Sequence, residues 1–257
     1  MPLNPWPLDP WNLRILDFHR AMKTAAIIVS AGKGHRFPGK KKKQFLSLAG
    51  KPLLCHALDR FEASPSIDAI HLVVGREDLD YTLKEIVEAN GYRKVSRIVP
   101  GGKSRQESVK NGVASLPAGI DLVAIHDGVR PFVTERMIEE SIEVARQFKA
   151  AIVATPVKET IKMADQDRIV LKTLDRQSLW QIQTPQTFQL DVIKLALHKA
   201  TEDGFLGTDD ASLVERIGIK VYIVPGSYAN IKITTPEDLM LAHLILQTQG
   251  FTQGEKI

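Results

Sequence analysis

The chain has 257 residues, 44% of them hydrophobic and 25% charged, which is enough to bury a large core and too apolar for intrinsic disorder. Its one cysteine, Cys55, excludes a disulfide framework and a multi-thiolate metal site and fits a reducing, cytoplasmic location. A formal net charge of +4 suits anionic small-molecule substrates and gives no reason to invoke nucleic acid; nor does any apolar run approach the roughly 20 residues that cross a membrane.

Residues 1–21 have neither the basic opening nor the apolar stretch of a secretory signal. They read as an appended, peripheral extension before Met22, followed by a single domain over residues 22–248. Within it TAAIIVS, Thr24–Ser30, is a continuously apolar run ending at glycines, the pattern of a strand buried on both faces of a parallel sheet. Pro52 then opens a helix with Leu54, Leu58 and Phe61 at helical spacing. Further strands are predicted at Ala69–Val74, Val95–Val99, Leu122–His126 and Ala151–Val157, with helical stretches between them. One of those helices opens with Ser104 and Glu107 at capping-box spacing. The alternation predicts an α/β fold, a doubly wound and mostly parallel sheet.

Over about 158–187 the alternation breaks into two extended segments around a turn at Ala164–Asp167. A hairpin with Ile161, Ile169, Leu171 and Leu174 cannot bury those side chains alone, so it is expected to be a projecting β-arm that packs on a second copy of the chain. Helices are predicted at about Leu190–Lys199 and Asp209–Ile217, a strand at Val221–Val224, and a last helix opened by Thr235, Pro236 and Asp238. A fraying tail is expected over residues 249–257.

Ligands of open parallel sheets bind at the carboxyl ends of the strands, so the loops there are the candidate site. After the first strand comes Ser30-Ala31-Gly32-Lys33-Gly34-His35-Arg36, then the run Lys40 to Lys43. The glycines let the backbone approach a phosphate and the cations add charge that a triphosphate needs. It is neither a Walker loop nor a dinucleotide fingerprint, since Phe37 stands where the third glycine would be. The strand-like run Val95–Val99 is followed by Gly101-Gly102-Lys103-Ser104-Arg105-Gln106-Glu107-Ser108, a glycine turn opening a helix, with Arg105 and Ser108 placed to grip a nucleotide. His126-Asp127-Gly128-Val129-Arg130-Pro131 follows the next strand, and Asp127 is a natural Mg²⁺ ligand, although a pair with Arg130 would equally explain it. Each loop alone reads as an ordinary turn. Together they favour a nucleotide and metal site.

The ordered motifs SAGKGHR, KQF, GGKSRQES, HDGVRP, LDR, TPQ, TDDAS and NIKIT over residues 24–246 resemble those of the 2-C-methyl-D-erythritol 4-phosphate cytidylyltransferases of non-mevalonate isoprenoid synthesis. The resemblance implies a nucleotidyltransferase fold and a homodimer whose arm completes the partner's site. It also implies Mg²⁺-dependent reaction of CTP with a polyol phosphate to give a CDP-polyol and pyrophosphate. Ala31, Gly32, Gly34, Gly101, Arg105, Ser108, Asp127 and Gly128 would bind the nucleotide, with Asp127 near the metal. Arg36 and Lys43 match the cations that stabilise the transition state, which agrees with the charge building on the phosphates. Arg176 and Lys232 match the residues that position the incoming phosphate. Thr160, Thr184 and Thr208 match positions lining the substrate pocket, Thr160 from the neighbouring subunit.

The chain departs from the family pattern in its four-lysine run before Gln44, where adjacency to Gln44 selects Lys43, and in Gly128-Val129, where two alanines are common. A ribitol 5-phosphate cytidylyltransferase and a nucleotide-binding protein without turnover remain alternatives. A nicotinamide oxidoreductase is disfavoured by the missing glycine.

Overall fold

The computed structural model describes residues 22–32 and 42–254; the extension over 1–21 and the expected site residues Gly34 and Arg36 lie outside the described residues. Strand β1 is Thr24–Ser30, as predicted from its unbroken apolar run. After a 3-10 turn at Lys43–Phe45 come the short strands β2 (Ser47–Leu48) and β3 (Lys51–Pro52), paired antiparallel. Helix α1, Leu53–Ala63, buries Leu54, Leu58 and Phe61 from the stripe seen in the sequence. Strand β4 (Ala69–Val74) leads to α2 (Leu79–Tyr81), which runs on as a π-helix over Thr82–Glu88. Strand β5 (Val95–Pro100), α3 (Arg105–Ala114), β6 (Leu122–Asp127), α4 (Glu135–Phe148) and β7 (Ala150–Pro156) continue the alternation.

A small hairpin follows, β8 (Lys162–Ala164) with β9 (Val170–Thr173), and β10 (Trp180–Gln189) returns to the main sheet. The chain ends through α5 (Leu190–Glu202), α6 (Asp210–Arg216), β11 (Tyr222–Pro225) and α7 (Pro236–Gly254). Two expectations change. The arm does not reach residue 187, because β10 pairs antiparallel with both β6 and β7, and Phe188 at its end is fully buried. The last helix continues past Gln249 to Gly254, since QTQGFTQG has no proline and isolated glycines weaken a helix without ending it.

The seven-stranded sheet has the order β11-β7-β10-β6-β1-β4-β5, parallel except at β10. Alternate residues of β1 feed two different cores. Ala26 and Ile28 pack with Leu54, Leu58 and Phe61 of α1 and Ile138 and Ile142 of α4. Ile27 packs on the other face with Val109 and Val113 of α3, Ile193 and Leu197 of α5, and Leu213 of α6. Covering both faces is why the strand is apolar throughout Ala25–Val29. A third cluster, Leu48, Leu53, Phe132, Ile233 and Ala242, docks α7 beside β2 and β3. Among the described residues no helix is long and apolar enough to cross a membrane. Cys55 is buried in the α1 core as a free thiol.

From β1 the chain steps outward to β4 and β5, and then α3 carries it back to β6 on the other side of β1. The switch point therefore lies between β1 and β6, whose carboxyl ends sit side by side in the pairing of Val29 with Asp127. Diverging connections leave a crevice at such a point.

Candidate active site

A cavity of about 540 Å³ opens at this crevice, lined by Ala31 and Gly32 after β1, Gly102 to Arg105 before and into α3, Asp127 at the end of β6, Lys43, Gln44 and Lys232. Three of these walls are loops that follow strands, as the apolar runs require.

The loop after β5 is built by α3. Ser104 caps the helix, its Oγ accepting from the Glu107 N–H at 3.1 Å, while Glu107 Oε2 accepts from the Lys103 N–H at 2.7 Å. Ser108, buried, donates from Oγ to the Ser104 carbonyl at 2.9 Å and accepts the Gly102 N–H at 3.0 Å. Gly101 donates its N–H to the Val74 carbonyl at 2.7 Å, and a Cβ there would stand 2.2 Å from the Ala31 Cβ. The two glycine-bearing loops thus touch, and only glycine at 101 permits it.

Asp127 is the acidic residue of the cavity wall, and it is 5% exposed. Lys232 Nζ lies 2.8 Å from its Oδ2, Arg105 Nε 3.2 Å from its Oδ1, and Arg130 Nε 3.6 Å from Oδ2. Burial by itself raises the Asp127 carboxyl, but Arg105, Lys232 and Arg130 outweigh it and hold the group far below the usual carboxylate range. Arg105 also reaches back at 2.8 Å to Asp210, which is 1% exposed. Burial shifts Asp210 upward against the pull of Arg105.

Beneath this layer lies a neutral relay. The Asp127 N–H donates to Thr184 Oγ1 at 3.1 Å, so the Thr184 hydroxyl donates to His126 Nδ1 at 2.9 Å, and His126 Nε2–H donates to the Arg130 carbonyl at 3.1 Å. Burial pushes His126 down to about 4, so it is neutral as this tautomer requires. Lys232 is placed by its neighbours: Ile233 donates its N–H to the Val129 carbonyl at 2.9 Å, and Asn230 Nδ2 donates to the Thr184 carbonyl at 3.1 Å.

The sequence-selected residues separate into two groups. Ala31, Gly32, Lys43, Arg105, Ser108, Asp127 and Lys232 line one cavity. Lys42, one position away, is bound to Glu77 and, at 2.6 Å, to Asp78, so it anchors the turn that presents Lys43. Gly128 is not among the residues that line the cavity: its N–H goes to the Val29 carbonyl at 3.0 Å, and a Cβ would lie 2.4 Å from Ser30 Oγ. Thr184 supports the Asp127 backbone from below and does not line the cavity. Thr160 and Arg176 are exposed at the base of the β8–β9 hairpin, where an Arg176 guanidinium nitrogen donates to the Lys158 carbonyl at 3.0 Å; neither lines the cavity of its own chain. Thr208 is exposed beside the N-terminus of α6. Sequence reasoning missed Asp210 as the buried partner of Arg105. The doubled aspartate in TDDAS was the available signal, and only Asp209 is used as the helix cap, accepting the Ser212 N–H at 2.9 Å.

A mostly parallel sheet carrying a cation-rich, carboxylate-bearing cavity at its switch point defines an α/β enzyme of the nucleotidyltransferase class. The sequence model of one family, described as 2-C-methyl-D-erythritol 4-phosphate cytidylyltransferase, matches residues 24–248. The chain belongs to that family. A relative of that name from Caldanaerobacter subterraneus subsp. tengcongensis is 47% identical over 226 residues, 88% of this chain and 100% of its own. Another from Geotalea uraniireducens is 45% identical over 229 residues, covering 88% of this chain and 98% of its own. The solved 4-diphosphocytidyl-2C-methyl-D-erythritol synthase of Anaerococcus prevotii superposes with a TM-score of 0.80 at 36% identity, over 89% of this chain and 100% of the other.

Proposed function

We propose that the chain transfers a cytidylyl group from CTP to 2-C-methyl-D-erythritol 4-phosphate, releasing pyrophosphate. The observation that carries this reading is the convergence of Lys43, Arg105 and Lys232 with the buried Asp127 in one cavity whose floor is the Ala31–Gly32 backbone. An ionised oxygen of the polyol phosphate attacks the α-phosphorus in line; the new P–O bond forms as the bond to the bridging oxygen breaks, and pyrophosphate takes the electron pair. No general base is required, because the nucleophile is already deprotonated at neutral pH. Catalysis is then positioning plus fixed charge. Lys43 faces the phosphates, a role the family resemblance extends to Arg36, and Lys232 receives the incoming phosphate with Arg176. The α3 N-terminus, pinned by Ser108, offers backbone N–H groups to the nucleotide.

Mg²⁺ fits this donor set. Among the described residues no three His, Cys, Asp or Glu groups gather as a cage, and Mg²⁺ habitually takes one or two carboxylates with substrate phosphate oxygens. Asp127 is the residue that would hold it. Bound there, the ion would neutralise charge on the phosphate chain.

The site is completed by a second copy of the chain. Ile169 is 62% and Leu171 61% exposed on the β8–β9 hairpin, beside exposed Met163 and Val170, an apolar surface that a two-stranded ribbon cannot bury alone. Pairing of two such arms would carry Thr160 and Arg176 to the neighbouring cavity. The buried, unpaired Cys55 suits a cytoplasmic enzyme.

Pyrophosphate release with Mg²⁺ and CTP tests the reading. Release with 2-C-methyl-D-erythritol 4-phosphate and not with ribitol 5-phosphate is expected. Preference for ribitol 5-phosphate would move the chain to the sister activity, and CTP binding without release from either would leave a nucleotide-binding protein without turnover.

A further inference from the structure

Gln44 is 1% exposed, yet neither its Nε2 nor its Oε1 has a hydrogen-bond partner. It lines the same cavity as Lys43 and Gly32. A buried carboxamide with both ends unsatisfied is costly and rare, and such groups are retained where something outside the fold completes them.

Its surroundings hold the backbone of the turn that carries it. The turn Lys43–Phe45 is closed by the Phe45 N–H on the Lys42 carbonyl at 3.0 Å and the Leu46 N–H on the Lys43 carbonyl at 3.1 Å. Lys42 is clamped by Asp78 and Glu77, and the Phe45 ring meets Tyr81 edge-on at 4.9 Å. A second unpartnered polar group, Ser30 Oγ, belongs to another residue of the cavity wall. The fold therefore fixes the backbone around Gln44 and leaves its amide unspent.

We propose that the Gln44 carboxamide is a positioning residue for the phosphate chain of the nucleotide, its enclosed side chain turning toward the cavity as the nucleotide binds and donating from Nε2 to a phosphate oxygen. Lys43, its neighbour in the turn, makes this the cationic end of the cavity, and a neutral donor beside a lysine adds direction to an attraction that charge alone leaves loosely aimed. This rests on reading the cavity as a CTP site.

Replacing Gln44 by Met removes both orphaned atoms at nearly constant volume. A structural glutamine would lose stability on this change, whereas an unspent one loses none, because an unsatisfied polar pair gives way to apolar surface. The experiment is calorimetric titration of wild type and Gln44→Met with CTP, inorganic tripolyphosphate and cytidine, together with the Tm of each protein without ligand. The expected result is about tenfold weaker binding of CTP and tripolyphosphate, unchanged binding of cytidine, and a Tm equal to or above that of wild type. Binding of CTP within twofold of wild type overturns the proposal. So does a loss confined to cytidine, or a lower Tm without ligand. Should Gln44→Met fail to fold, the side-chain NH₂ resonances of Gln44 in ¹⁵N-labelled wild type decide: they move on adding tripolyphosphate, and resonances that stay in place overturn it. A wild type that binds no CTP would sink the functional reading itself, a different outcome from a Gln44→Met that binds as wild type does.

Discussion

Lys232 Nζ stands 2.8 Å from Asp127 Oδ2, joining the loop after β11 to the end of β6 across the mouth of the cavity. The aspartate holds the lysine in place, and the lysine, 37% exposed, keeps one side toward the solvent from which substrate arrives.

Lys232→Met is therefore expected to raise KM for the polyol phosphate at least tenfold and to lower kcat, while the Tm changes little, because the buried Asp127 keeps Arg105 and Arg130 as partners. Steady-state kinetics with each substrate varied separately check this. An unchanged KM for the polyol phosphate would remove Lys232 from the substrate site.

Asp210→Asn takes from Arg105 its more buried partner. Arg105 keeps Asp127 at 3.2 Å, so no buried charge is stranded, and because burial outweighs the pull of Arg105 on Asp210 the neutral amide costs little stability; the loss falls on the placing of Arg105. KM for CTP should therefore rise while urea unfolding changes little.

Gly101→Ala forces a Cβ to within 2.2 Å of the Ala31 Cβ, and both atoms are attached directly to backbone. A cost of about 1–3 kcal/mol follows from overpacking of this kind, with weaker CTP binding because the two loops must part. Adding Ala31→Gly to the same chain removes the opposing atom and should restore most of both losses. A double-mutant cycle in urea shows the coupling or its absence.

His71 is buried, with Nδ1 2.6 Å from Ser115 Oγ. Burial, aided by Arg97, lowers its pKa from 6.5. The unfolded chain then takes up a proton before the folded one does, so stability is full above pH 6.5 and is lost as the pH falls below it. His126, pushed down to about 4, acts in the same direction. Tm measured from pH 8 to 5 should fall on the acid side, and His71→Gln should flatten the fall without abolishing it.

Ile169→Asp with Leu171→Asp places charge on both exposed apolar positions of the hairpin. Analytical ultracentrifugation is expected to find a monomer, with pyrophosphate release reduced at least 10²-fold if the arm of a second copy supplies Arg176. A dimer that survives both changes would place the interface elsewhere.

Much of this architecture is readable in the chain because it rests on local patterns. The strands Thr24–Ser30 and Ala69–Val74 stand where predominantly apolar runs place them, since a parallel strand covered on both faces leaves few positions for a polar residue. Ser104 and Glu107 declare the start of α3 by spacing alone, and the loops at the strand ends follow from alternation. Tertiary structure decided the rest. WQIQTPQTFQ mixes polar and apolar residues and carries a proline, so nothing local distinguishes an arm from a strand inserted between β6 and β7; that choice belongs to the partners it finds. Arg105 likewise meets Asp127 and Asp210 only because the sheet brings distant segments to one edge. The sequence by itself determined which elements form and which loops carry charge, because those depend on near neighbours. Which of those charges meet, which glycine stands outside the cavity wall, and which buried amide is left unsatisfied depend on contacts far apart in the chain.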